Sequence, residues 1–161
     1  MNGYDLRDLI LKKRPKFDNA RLPIVDELSN LEKSQTDYTE FGPRYQLFMY
    51  AFMMGWRLKS RIPLGEKKTD FLEIGKWNPR SLVEYILMIL FSSNDLNTDW
   101  NTMEDMEENE VENVVRKLIS IMEEYANGGL IHLENIRKNN KEEFFDPFVF
   151  VNLMKDVVIT E

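Results

Sequence analysis

The sequence predicts an all-α fold, a compact bundle of six to eight helices forming one domain over residues 1–161. Three observations carry this reading. Apolar residues recur at helical spacing through most of the chain. Proline stands beside Gly, Asn or Asp at several points where such a pattern begins. Short, interrupted apolar patches are confined to residues 60–77. A chain of 161 residues, 43% hydrophobic and 12% aromatic, is long and apolar enough to bury a core without a disulfide or metal, and is not wholly disordered.

Tyr4 to Lys13 reads as a short helix with Leu6, Leu9 and Ile10 on one face, ended by Pro15. A second helix runs from Pro23 to Lys33, because a proline in the first turn lacks only an N–H that would be unbonded anyway. Leu28 and Leu31 face inward there, with Ile24 or Val25. Residues 1–35 read as a peripheral N-terminal extension. Ser34 to Gly42 is polar and turn-like. Gly42-Pro43 then opens a helix that is apolar almost all round through Tyr45, Leu47, Phe48, Met49, Ala51, Phe52, Met53 and Met54, which predicts a central position. Gly55 allows close packing near its end, and Trp56 caps the core.

Residues 60–77, punctuated by Pro63, Gly65 and Gly75, read as an ordered loop or a small β-hairpin. Asn78-Pro79 is a cap and first-position pair for a second core helix reaching Ser92. Ser93 to Glu107 is polar and acidic, anchored by Trp100 and Met103, with room for a short helix. Val111, Val114, Val115, Leu118, Ile121, Met122 and Tyr125 make one apolar stripe. Asn127-Gly128-Gly129 is expected to stop that helix, since Asn and Gly tolerate the left-handed conformation of a C-cap. Leu130 to Lys138 then forms a further helix, and Asp146-Pro147 starts a last one through Val149, Phe150, Leu153, Met154 and Val157.

The net charge of −7 hides an uneven layout. Residues 1–80 hold 15 basic and 11 acidic side chains, net +4, while residues 81–161 hold 6 and 17, net −11. Lys12, Lys13, Arg14 and Lys16 form one basic cluster, and Arg57, Lys59, Arg61, Lys67 and Lys68 another, interleaved with Trp56 and Trp77. Such a mixture can face a phosphate backbone or an acidic partner, or simply solvent. These nine residues are the candidate nucleic-acid or partner-binding set. The opposite sign gathers at Asp95, Asp99, Glu104, Asp105, Glu107, Glu108, Glu110 and Glu112, with no Lys or Arg among them.

Catalytic constellations are sparse. The absence of cysteine excludes a disulfide scaffold, a thiolate metal site and a cysteine nucleophile. His132 is the single histidine, so multi-histidine metal sites are excluded as well. Placed just past the expected helix end between Ile131 and Leu133, it reads as a polar residue on a helix face rather than part of a triad. Glu104, Glu108 and Glu112 would share a helix face only if that helix began early, and they read as solvated. Asp70, Glu73 and Lys76 suggest a metal-dependent nuclease, yet two residues rather than one separate the Glu from the Lys. No GxxxxGK[ST] or GxGxxG occurs, and no cofactor is expected. Leu82 to Phe91, interrupted by Glu84, is about half of the ~20 residues a bilayer span needs, so no membrane association is expected. The N-terminal MNGYDLRDLILKKRPKFD has no signal-like apolar run, which predicts a cytoplasmic protein.

Two stretches taken together, FMYAFMMGWRLKSRIPL from Phe48 and EEYANGGL from Glu123, resemble a family of small bacterial proteins associated with the Dnd system of DNA phosphorothioation. The first carries Phe48, Ala51, Gly55, Arg57 and Arg61-Ile62-Pro63-Leu64, and the likeness covers roughly residues 40–135. The resemblance implies a place beside DNA-modification and restriction genes in phage defence, with other defence proteins as partners. It brings no catalytic residue with it. The expected function is therefore a non-catalytic accessory or adaptor subunit that docks larger partners. A DNA-binding module is the alternative, and a metal-dependent nuclease the second alternative. The Met and aromatic content also leaves room for apolar patches used in a homo-oligomer.

Overall fold

The computed structural model describes residues 3–29 and 41–159. Its elements run α1 (Gly3–Leu11), β1 (Lys16–Asp18), α2 (Leu22–Leu28), α3 (Arg44–Arg57), β2 (Lys68–Asp70), α4 (Arg80–Ser92), α5 (Glu108–Asn139) and α6 (Val149–Ile159), joined by short 3-10 turns. The fold is mostly helical, as the periodicity predicts. The buried apolar side chains form one cluster. Within the stretch expected to be peripheral, Leu6, Ile10, Phe17, Ile24, Val25 and Leu28 all enter that core. No helix of the described residues is long and apolar enough to cross a membrane.

The spine is α5, 32 residues and so about 48 Å long. A reciprocal capping box starts it: Glu107 accepts from the backbone three residues on, and the Glu110 carboxylate accepts from the Glu107 N–H at 2.8 Å. The expected stop at Asn127-Gly128-Gly129 does not occur. The helix runs straight through it, and the separate helix expected over Leu130 to Lys138 is its continuation.

Packing, not termination, explains these glycines. Antiparallel α3 crosses α5 so closely that a Cβ on Gly129 would overlap the Ala51 carbonyl oxygen, and one on Gly55 would overlap that of Tyr125. A Cβ on Gly128 would overlap the Ser60 carbonyl oxygen, in the chain leaving α3. Asn127, itself buried, donates from Nδ2 to the carbonyls of Ile62 and Pro63 at 3.1 and 3.3 Å. The motif lets a second helix and an extended segment lie against α5 backbone to backbone.

Several boundaries differ from expectation. α2 ends at Leu28, where the Ser29 hydroxyl turns back to the Val25 carbonyl at 2.5 Å, rather than at Lys33. Leu31, Lys33 and residues 34–40 of the expected Ser34–Gly42 turn lie outside the described residues. Pro79 occupies the cap position of α4 and the helix begins at Arg80, so Asn78 is not the cap. The short helix in the acidic segment is a 3-10 stretch, Trp100–Asp105. Residues 60–77 contain one strand, but it forms no local hairpin: β2 pairs antiparallel with the distant β1. His132 sits inside α5, half-buried, where burial favours its neutral form.

An aromatic group locks this ribbon to the helices. Phe17 points inward from β1, stacks on Phe71 at 4.6 Å and meets Phe48 of α3 edge-on at 5.5 Å. Trp77 lies against Phe71, Phe48 and Tyr45, with its indole N–H on the Leu72 carbonyl at 2.9 Å.

Candidate functional site

The two basic clusters meet, in part, through the ribbon. Lys16 stands opposite Asp70, Phe17 opposite Thr69 and Asp18 opposite Lys68. The Asn19 N–H bonds the Lys67 carbonyl at 3.0 Å, and the Phe71 N–H bonds that of Pro15 at 3.2 Å. Residues 12–19 and 67–74 thus run side by side although some fifty residues separate them.

Alternation along a strand turns Phe17 inward and Lys16 and Asp18 outward. On β2 the outward residues are Lys68 and Asp70. Each outward lysine therefore faces an aspartate across the ribbon, and the four charges cancel. Burial raises the Asp18 carboxyl, but the N–H groups of Gly65 and Ala20, with Arg21 and Lys68 nearby, hold it below its ordinary pKa.

Other members of the set are also engaged. Lys13 pairs with Glu112 at 3.1 Å. Arg61 is bound to Glu124 and lies 3.6 Å from Asp95, which in turn accepts from the Tyr125 hydroxyl at 2.5 Å. Burial, then this bond to Asp95, pushes the Tyr125 hydroxyl up to about 12. The cluster ties the 58–64 segment and the 93–99 loop to α5. Arg57 is half-buried in the last turn of α3. Lys12, Arg14, Lys59 and Lys67 are exposed.

The segment from α1 to α2 is fastened along α5 by three glutamates. Glu112 takes the Lys13 ammonium, Glu123 accepts the Lys16 backbone N–H at 2.6 Å, and Glu134 takes the Arg21 guanidinium. They are spaced eleven residues apart, three helical turns within about 20°, so they share a face. That spacing is readable in the sequence and was the missed signal.

Burial raises the Glu123 carboxyl above its ordinary value of 4.5, against the pull of the Lys16 N–H and the charges of Lys16 and Lys68. The folded state therefore holds this proton more tightly than the unfolded chain does, and stability is lost as pH rises through the folded pKa. Glu123→Gln keeps an acceptor for the Lys16 N–H but removes the charge. The variant is expected to unfold at higher urea than wild type near neutrality, with the gap closing towards about pH 4. A variant less stable than wild type near neutrality would refute this account.

Of the three nuclease candidates, Glu73 and Lys76 come together, paired at 3.1 Å within one turn, while Asp70 stands across the ribbon from Lys16. Glu104 precedes α5 on the 3-10 segment, so it does not share a helix with Glu108 and Glu112. Among the described residues, no three carboxylate or imidazole side chains gather as metal ligands.

Comparison with known proteins adds one decisive finding. Residues 18–154 match the family described as DNA sulphur modification system-associated protein 4. The chain belongs to that family. Members of this Dnd-associated family accompany DNA sulphur modification systems, and the match includes the α3–α5 crossing and β2, with Asp18 at the end of β1. No curated protein matches the chain, and no solved structure does.

Proposed function

We propose that this Dnd-associated protein is a non-catalytic, cytoplasmic accessory subunit of a phage-defence system, and that it works by docking other proteins of that system. Family membership supports the setting. The observation that carries the docking reading is the fate of the basic residues: Lys13 and Arg61 are spent on ion pairs within the chain, and Lys16 and Lys68 face aspartates. A surface built for a phosphate backbone keeps such groups free, because affinity grows with each phosphate neutralised.

Co-expression with the products of the neighbouring sulphur-modification genes tests this. The expected result is stoichiometric co-purification with at least one of them. Elution of this chain alone would overturn the reading. The exposed Lys12, Arg14, Lys59 and Lys67 support DNA binding as the second reading. Docking alone predicts no shift of a DNA duplex even at low salt, where phosphate attraction is strongest.

A further inference from the structure

An apolar groove of about 530 Å³ opens between α1 and α4, away from the ribbon. Leu6, Ile10 and Leu87 line its floor and are buried. Trp100 and Met103, from the 3-10 segment before α5, form another wall. Trp100 is fixed there: its indole N–H reaches the Phe91 carbonyl at 3.2 Å, and its ring meets that of Phe91 edge-on at 5.2 Å. On the α4 rim Met88 is 55% exposed, with Tyr85 beside it at 44%. Arg7 and Glu84 pair with each other at 2.9 Å and so leave the groove without an unmatched charge. Helices flanking an apolar trough, with a flexible Met on the rim, suit the apolar face of a third helix.

The charge that follows the Trp100–Met103 wall along the chain narrows what that helix is. Trp100 and Met103 share their segment with the exposed Glu104 and Asp105, and Glu107 and Glu108 follow. No Lys or Arg occurs from Ser81 to Val115, and Arg116, the next, lines a surface hollow with Glu107 and Glu108. Glu107 and Glu110 are used in capping α5, and Asp99 caps the 3-10 segment through the Asn101 N–H at 3.0 Å. Glu104 and Asp105 cap nothing, and their mutual repulsion is a cost that a cationic partner would relieve.

We propose that this groove binds an amphipathic helix of a partner protein, apolar on the face it buries and carrying Lys or Arg where it meets Glu104 and Asp105. The inference rests on the accessory reading and gives it a docking face. A second copy of this chain fits less well: Phe148, just before α6, and Val151 are exposed, but Val149, Leu153 and Val157 of α6 are already buried in the chain's own core.

A labelled helical peptide of Leu and Lys, apolar on one face, tests the groove by fluorescence anisotropy with the full chain; the same peptide with Glu for Lys is the control. The Lys peptide is expected to bind at least about tenfold more tightly than the Glu peptide. Met88→Asp, at an exposed position, is expected to weaken it at least about tenfold with the helical circular dichroism unchanged. The double variant Glu104→Lys/Asp105→Lys is expected to reverse the preference. Equal binding of both peptides, or no effect of Met88→Asp, would overturn the proposal. So would a wild-type dimer that Met88→Asp converts to monomer, which would assign the groove to a second copy. Co-purification of a neighbouring gene product equally with wild type and Met88→Asp would refute the groove while leaving the accessory reading intact. Peptide binding lost in Met88→Asp, with no neighbour captured by wild type, would refute the accessory reading and leave the groove.

Discussion

Gly129→Ala is expected to destabilise the protein by about 2–4 kcal/mol. The sign is what makes the experiment informative. Gly129 lies inside α5, and in an exposed helix interior alanine is better than glycine by about 1 kcal/mol. A glycine kept merely to end or loosen the helix would therefore yield a more stable variant. Here the added methyl would occupy the place of the Ala51 carbonyl oxygen. Relief requires α3 and α5 to move apart, which opens gaps along the most extensive contact between helices among the described residues. Urea unfolding of the variant against wild type measures the difference. Gly65→Ala is the control, since its Cβ would meet the Asp18 carboxylate at an ordinary 3.4 Å, and it is expected to stay within about 0.5 kcal/mol of wild type. A stabilised Gly129→Ala would mean that the two helices do not touch as described.

Trp77→Ala is expected to cost about 3–5 kcal/mol, the range for deleting a fully buried large aromatic. The indole is 1% exposed, lies between the Phe71, Phe48 and Tyr45 rings, and satisfies the Leu72 carbonyl. Its removal leaves both a cavity and an unpaired acceptor. The ribbon should feel this first, because Phe71 joins Trp77 to Phe17 on β1. Hydrogen exchange at the Asn19 and Phe71 amides, which bridge the two chain segments, is expected to accelerate more than exchange in mid-α5. A loss below about 1 kcal/mol would show that the site collapses around the missing ring.

Helices α1, α3, α4, α5 and α6 were legible because each carries its own apolar stripe, a local property of the chain. Their junctions were less so. Asn127-Gly128-Gly129 has the composition of a helix stop, and only the neighbouring α3 backbone reveals that the missing Cβ atoms make room for it. The pairing of β1 with β2 could not be read from three-residue strands, whose partners are chosen by Phe17, Phe71 and Trp77 packing together. The basic candidates stand out in the sequence, but the net charge of the surface they form depends on Glu112, Glu124, Asp18 and Asp70, which only the fold brings beside them. The apolar groove depends on α1, α4 and the 3-10 segment meeting.

The evenly spaced glutamates of α5 also restrict how this protein can change in length. One residue inserted between Glu112 and Glu134 turns everything beyond it by about 100°, so that part of the α1–α2 segment loses its attachment while the rest keeps it. An insertion of eleven residues would nearly restore the angular phase, but would move the attachment points about 16 Å apart along the axis, further than the same short segment could follow. Substitutions on the outer face of α5 are tolerable one at a time, whereas insertions and deletions within this stretch are not. Natural variation in chain length is therefore expected to fall outside it.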